Sequence, residues 1–141
     1  MILYVNGQDI GRLALSIIGS GNDNALSIQD ISPEDFLRTI DIYLSDNNKQ
    51  VGDIAKIYAV VGNGSPTALR SILSILNTIG FAGDIELYSL EKDPHEQDID
   101  TIKKIQKGDI KVMKVDTLEP KYSNEPKITL STKDSLGRKQ E

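Results

Sequence analysis

The sequence predicts an α/β domain built on one mixed sheet, with an antiparallel front followed by a parallel βαβ unit. Three observations carry this. An apolar run at residues 2–5 ends in Asn6-Gly7, a pair that tolerates the positive φ of a hairpin turn. Two further runs, 54–61 and 85–90, are largely apolar and β-rich, as buried central strands are. A helical pattern over 67–79 lies between them, and a strand–helix–strand unit in one sheet makes its strands parallel.

The elements follow in order. After Gly11, residues 13–18 read as a second strand, 19–24 as a polar turn and 25–29 as a third strand, which completes a meander. Ser32-Pro33-Glu34-Asp35 then opens a helix: Ser32 as cap, Pro33 at the first helical position, two acids at the positive end. Phe36, Leu37, Ile40, Tyr43 and Leu44 recur at helical spacing on one face, and Ile42 falls on the opposite face. Asp46-Asn47-Asn48 ends this helix. The second helix, 67–79, follows a turn at Gly62-Asn63-Gly64-Ser65-Pro66 and stops at Gly80. From Glu91 the composition changes. Residues 93–96 read as a linker, Ile99, Ile102 and Ile105 as one side of a short helix, and Ile110, Val112 and Val115 as a short edge strand. Residues 116–141 are polar, with too little apolar surface to offset ordering, and are expected to be flexible or docked only locally. The predicted organisation is a domain at 1–90 and, at 91–141, a short helix and edge-strand extension with a flexible polar tail.

Composition narrows the function. A chain of 141 residues without cysteine fits one domain with no disulfide framework, thiol nucleophile or Cys-ligated zinc. The net charge is −5 and is unevenly spread: residues 1–90 hold 5 basic and 10 acidic residues, residues 91–141 hold 11 of each. An acidic front argues against direct contact with a phosphate backbone. The N-terminus has no basic stretch before its apolar run, and no apolar stretch reaches the roughly 18 residues of a spanning helix. These features predict a soluble, cytoplasmic protein with no membrane contact.

Few residues are candidates for chemistry. The turn Gly62-Asn63-Gly64-Ser65 before a helix could cradle an anion. It lacks the lysine of a P-loop, and its strand is not the first in the chain, as a dinucleotide fingerprint requires; Glu86 alone lies near the offset of that motif's acid. Asn6 stands where the first strand ends, and an amide cannot act as a general base. Asp9 and Asp30 are loose loop acids. His95 is the single histidine, with no second ligand for a metal. The reading is therefore no catalytic residues, no metal and no cofactor. The second helix is unusual in another way. Ala68, Leu69, Ile72, Leu73, Ile75, Leu76 and Ile79 fill an arc of roughly 160°, wider than an ordinary surface helix shows. The remaining face, Ser71, Ser74, Asn77 and Thr78, is small and uncharged where Lys and Glu would suit water. With Ile42 and its neighbours Arg38, Thr39 and Ser45, it outlines a helix-docking surface.

The combination resembles the bacterial TsaB (YeaZ) family. Its pattern is an apolar strand, then Gly-Pro-Gly-Ser-Phe-Thr-Gly-Leu-Arg, then an apolar helix rich in small residues. Gly62, Gly64, Ser65, Thr67, Leu69 and Arg70 match; Asn63, Pro66 and Ala68 depart. The start is similar too, with Asn6-Gly7 where the family has Asp-Thr, and 118–126 faintly matches the family's C-terminal Pro-x-Tyr-x-Arg-x-Pro. The resemblance implies an RNase H-like half of the actin-like superfamily, with length for the first of two related halves. It implies a non-catalytic scaffold that binds a TsaD-like catalytic subunit or a second copy, with a TsaE-like ATPase as a further partner. The reaction supported is threonylcarbamoyl transfer to a tRNA adenosine, tRNA being reached only through the complex. The partner-binding residues would be Arg38, Thr39, Ile42, Ser71, Ser74 and Thr78. The rival readings are a self-associating interaction domain of unrelated role, a small phosphate- or nucleotide-binding domain using residues 62–65, and a nuclease-like enzyme, against which Asn6 weighs.

Overall fold

The computed structural model describes residues 1–19 and 26–121. Its elements are β1 (Ile2–Asn6), β2 (Arg12–Ile18), β3 (Ser27–Asp30), α1 (Phe36–Asp46), β4 (Lys56–Val60), α2 (Pro66–Gly83), β5 (Glu86–Leu90), α3 (Asp98–Lys107) and β6 (Met113–Val115). The strands form one six-stranded sheet in the order β3-β2-β1-β4-β5-β6. β1, β2 and β3 make the predicted antiparallel meander, and β4 and β5 run parallel, as the βαβ reading requires; β1 also pairs parallel with β4, which joins the two parts into one sheet. β6 pairs antiparallel to β5 at the edge.

Alternation along the strands sorts side chains onto two faces. Leu3, Val5, Leu13, Leu15, Ile57, Ala59 and Leu87 point to one face, where Phe36, Ile40, Tyr43 and Leu44 of α1 and Ile72, Leu73, Leu76 and Ile79 of α2 cover them. Tyr4, Ile18, Val60 and Leu90 point to the other, where Ile102 of α3 packs against them. Ile105, Ile110 and Val112 close the margin of this second core.

Several details depart from the sequence expectation. Residues 33–35 form a separate 3-10 turn ahead of α1, and the Ser32 hydroxyl caps no backbone N–H. Leu37, placed on the buried stripe, is exposed, whereas Thr39 is buried. α2 does not stop at Gly80. A Cβ there would lie 2.8 Å from Leu87, so this glycine serves close helix–sheet packing inside the helix. The stop is Asp84, which takes the left-handed conformation at φ 54°. Residues 117–121, expected to be flexible or docked only locally, are docked: Leu118 is buried and exchanges two hydrogen bonds with the Asn77 side chain, at 2.7 and 2.9 Å. Lys121 N–H donates to the Val61 carbonyl. The remainder of the predicted tail lies outside the described residues.

Candidate functional site

The Gly-rich turn sits at the C-terminal end of β4, the side of an open α/β sheet where ligands usually bind. Here the chain itself fills the place. Gly64 faces the β1–β2 loop so closely that a Cβ would lie 2.6 Å from the Gln8 carbonyl oxygen. The Ser65 N–H, one of the donors an anion would use, donates to that carbonyl at 2.9 Å. The buried Gln8 amide in turn donates to the carbonyls of Gly62 at 2.9 Å and Asn63 at 3.2 Å. The Ser65 hydroxyl accepts from Ala68 N–H at 3.3 Å and so caps α2. Thr67 and Arg70 lie exposed on the first turns of that helix. The phosphate-cradle reading is therefore corrected: the glycines let two loops of the same chain touch.

Beside the turn lies a buried polar cluster on the α3 face. Asp98, the first residue of α3, is 4% exposed and accepts hydrogen bonds on one carboxylate oxygen from Tyr4 Oη and Asn6 Nδ2, both at 2.7 Å. Its other oxygen faces Arg12 at 3.8 Å, and Arg12 also reaches Asp9 at 3.4 Å. Asn6 Oδ1 accepts the Gln8 N–H, which locks the loop entering the hairpin. Burial, then the charge and hydrogen bond of Asp98, push the Tyr4 hydroxyl well above the usual tyrosine range. The lone His95 and Glu96 line the outer wall of a cavity of about 410 Å³ above this cluster. Glu96 is held below the ordinary carboxylate range by hydrogen bonds from Lys104 and Thr101. Among the described residues no group of three His, Cys, Asp or Glu side chains could hold a metal ion. Chemically, the Asp98 carboxylate is committed to Tyr4, Asn6 and Arg12, and the cluster acts as a polar clamp on α3.

Sequence reasoning found Asn6 but missed Tyr4, Gln8 and Asp98. The signal available was that a tyrosine and an amide inside a buried strand need hydrogen-bond partners. The carboxylate that satisfies them is 94 and 92 residues away in the chain, beyond a stretch that reads as linker.

The proposed docking residues divide. Ile42 is 52% exposed, and Ser74 and Thr78 are exposed, with Ser71 partly so. Arg38 is exposed and pairs with Asp35 at 2.7 Å. Thr39 lies inside the chain's own core and offers no surface. Among the described residues no helix is long and apolar enough to cross a membrane.

Among the solved structures similar to this chain, two illustrate the likeness of fold. YeaZ from Pseudomonas aeruginosa superposes with a TM-score of 0.57 at 13% identity, over 64% of this chain and 43% of that one. A protein described as uncharacterized, with similarity to peptidase YEAZ from Pseudomonas aeruginosa, superposes with a TM-score of 0.58 at 13% identity, over 64% of this chain and 42% of the other. The chain spans less than half the length of either. Likeness at such identity speaks for the fold, which is RNase H-like, and not for an activity. No family model matches the chain, and no curated protein matches it.

Proposed function

We propose that the chain is a partner-binding scaffold of the TsaB type without a reaction centre of its own. It docks a TsaD-like enzyme, with a TsaE-like ATPase in the same assembly, and supports threonylcarbamoylation of a tRNA adenosine. tRNA is met only through the complex, in the cytoplasm. One observation carries this reading: the strand ends, where catalytic members of such a fold place a carboxylate, are filled by the Asn6 amide and the Gln8 side chain, both hydrogen-bonded inside the chain. The fold likeness to YeaZ supports it, and so does the outer surface of α1 and α2 around Ile42 and Ser74, where Arg38 and Arg70 are among few charged side chains. The peptidase wording attached to one relative has no counterpart in a free nucleophile–base pair among the described residues around Asp98, where the carboxylate is already engaged.

The test is co-expression with a TsaD-like protein from the same cell, followed by affinity capture. Wild-type chain should retain it. A charge placed inside the interface is left desolvated and typically costs a few kcal/mol of binding. Ile42→Asp and Ser74→Arg should therefore release the partner while the melting temperature of the free chain stays nearly unchanged, since both positions are exposed. No capture by the wild type would refute the reading.

A further inference from the structure

Lys92, just past the end of β5, is 4% exposed. A lysine with so little exposure is almost always paired with a carboxylate, because an uncompensated charge away from water is costly. Among the described residues no carboxylate pairs with this one. Its ammonium donates to the Asp93 carbonyl at 3.1 Å, which uses one of three donors and none of the charge. The backbone beneath is fixed: the Lys92 carbonyl accepts from the Asn63 side-chain amide at 3.1 Å and from that of Gln8 at 3.4 Å. Lys92 lines the cavity of about 410 Å³ above the Asp98 cluster. The acids of that cavity are already engaged, Asp98 by Tyr4 and Asn6, Asp9 by Arg12, and Glu96 by Lys104. Glu96 is lowered chiefly by its hydrogen bonds to Lys104 and Thr101, and Lys92 comes last among the causes. The cavity therefore lacks an anion and not a cation.

A second, independent feature points the same way. The 10-residue helix α3 begins at the wall of this cavity, where Gln97, Asp98 and Ile99 line it. Gln97 makes no side-chain cap, and the Asp98 carboxylate is turned to Tyr4 and Asn6. The N–H groups of Asp98 and Ile99 have no acceptor among the described residues. Free N–H groups at the positive end of a helix favour an anion. Leu26, Ile28 and Ile99 give the same cavity an apolar flank.

We propose that this cavity binds a small organic monocarboxylate, its head on the Lys92 ammonium and the Asp98 and Ile99 N–H groups, its apolar body against Leu26 and Ile28. One uncompensated positive charge calls for one negative charge, and the carboxylates of Asp9, Glu96 and Asp98 oppose a second. The volume lies within the range of small-molecule pockets, roughly 300–1,000 Å³. The place is the carboxyl end of the strands, where open α/β sheets bind ligands, and it is separate from the Gly-rich turn, which the chain itself fills. The inference goes beyond the scaffold function and does not rest on it.

NMR of the full chain, with ¹⁵N-labelled amides, tests this by titration with sodium pentanoate against sodium chloride at matched ionic strength. The Asp98 and Ile99 amides should shift and saturate in the millimolar range, and chloride should not move them. Acetate lacks the apolar body and should bind roughly ten-fold more weakly. Butyl phosphate, a dianion in mildly alkaline buffer, should also bind more weakly than pentanoate. Lys92→Met keeps most of the side-chain volume and removes the buried charge. It should raise the pentanoate dissociation constant roughly thirty-fold, while the melting temperature holds or rises. Ile99→Asp places an acid in the first turn of α3, where the helix tolerates it, and should weaken binding in a folded chain; it decides the matter if Lys92→Met does not fold. Amides that stay unmoved at about 50 mM pentanoate, that move equally with chloride, or that move as far in Lys92→Met overturn the proposal. Butyl phosphate binding tighter than pentanoate overturns the single-charge assignment. The partner reading fails separately, since capture of the TsaD-like protein is read without any carboxylate present.

Discussion

The two faces of the sheet are stabilised by different means. The face under α1 and α2 is an aliphatic core, with Leu3, Ile40, Leu44, Ile57 and Leu76 all fully buried. The face under α3 holds a smaller apolar cluster and, next to it, a buried carboxylate with its donors. Packing on the first face depends on volume and tolerates exchange of one apolar shape for another. On the second it depends also on specific partners, because α3 adds only Ile102 and the half-buried Ile105 to the apolar cluster and is tied down by the bonds at its first residue. The first face commits the chain to its fold; the second decides where the helix after β5 lies.

The largest expected effect probes the first face. Leu76→Ala empties a site at the centre of the helix–sheet core and should destabilise by about 2–5 kcal/mol, while Leu76→Met should lose less than about 1.5 kcal/mol. Urea unfolding monitored by far-UV circular dichroism gives both values. A Leu76→Ala loss below 1 kcal/mol would mean that α2 is not seated on the sheet as described.

The second face should respond in the opposite way to shape and polarity. Asp98→Leu keeps the branching of the side chain but leaves the Tyr4 hydroxyl and the Asn6 amide buried without an acceptor, at about 1–3 kcal/mol for each such group. Asp98→Asn keeps an acceptor oxygen and should lose about 1 kcal/mol. Native-state hydrogen exchange would localise the effect: amides of α3 should open first in Asp98→Leu, ahead of those in α2. Equal loss in the two variants would show that Asp98 contributes bulk and not acceptors, and the contrast between the faces would collapse.

This contrast also explains what the sequence made legible. The antiparallel front, the parallel β4–β5 pair and the burial of Ile40, Leu44, Ile72 and Leu76 were legible, because apolar spacing on strands and helices is a local pattern. The misplaced residues are those decided by distant neighbours. Gly80 carries a stop signal that Leu87 overrides by packing against it. The glycines of the 62–65 turn suit an anion cradle as well as they suit the approach of Gln8, and only the tertiary structure separates the two. Leu37 and Thr39 trade places because α1 is rotated slightly from its apparent stripe, so the docking face keeps Ile42 and loses Thr39. Asp98 was hidden for the same reason: a single acid among many in an extension that balances 11 charges of each sign carries no local mark of burial.

The smallest effect concerns the ion pair that braces the outer end of the second face. Glu96 accepts from Thr101 Oγ1 at 2.7 Å and pairs with Lys104 at 2.6 Å, tying the segment before α3 to the helix. The folded state holds Glu96 below its ordinary value of 4.5, chiefly through the Lys104 hydrogen bond and then that of Thr101. A depressed carboxylate contributes stability that is present above its unfolded value and is lost as pH falls through its folded one. Lys104 is raised above its ordinary 10.5, first by its hydrogen bond to Glu96, so its contribution is present at lower pH and is lost only as pH rises through the folded value. The pair is thus intact across neutral pH and fails first on the acid side. Lys104 is exposed, so solvent screening keeps the whole effect small. Lys104→Ala should lower the melting temperature by about 2 °C or less at pH 7, and the gap to wild type should close as the pH falls below about 4. A gap that stays constant down to pH 3 would assign the difference to the packing of the lysine stem, and the brace on α3 would then be the Asp98 cluster alone.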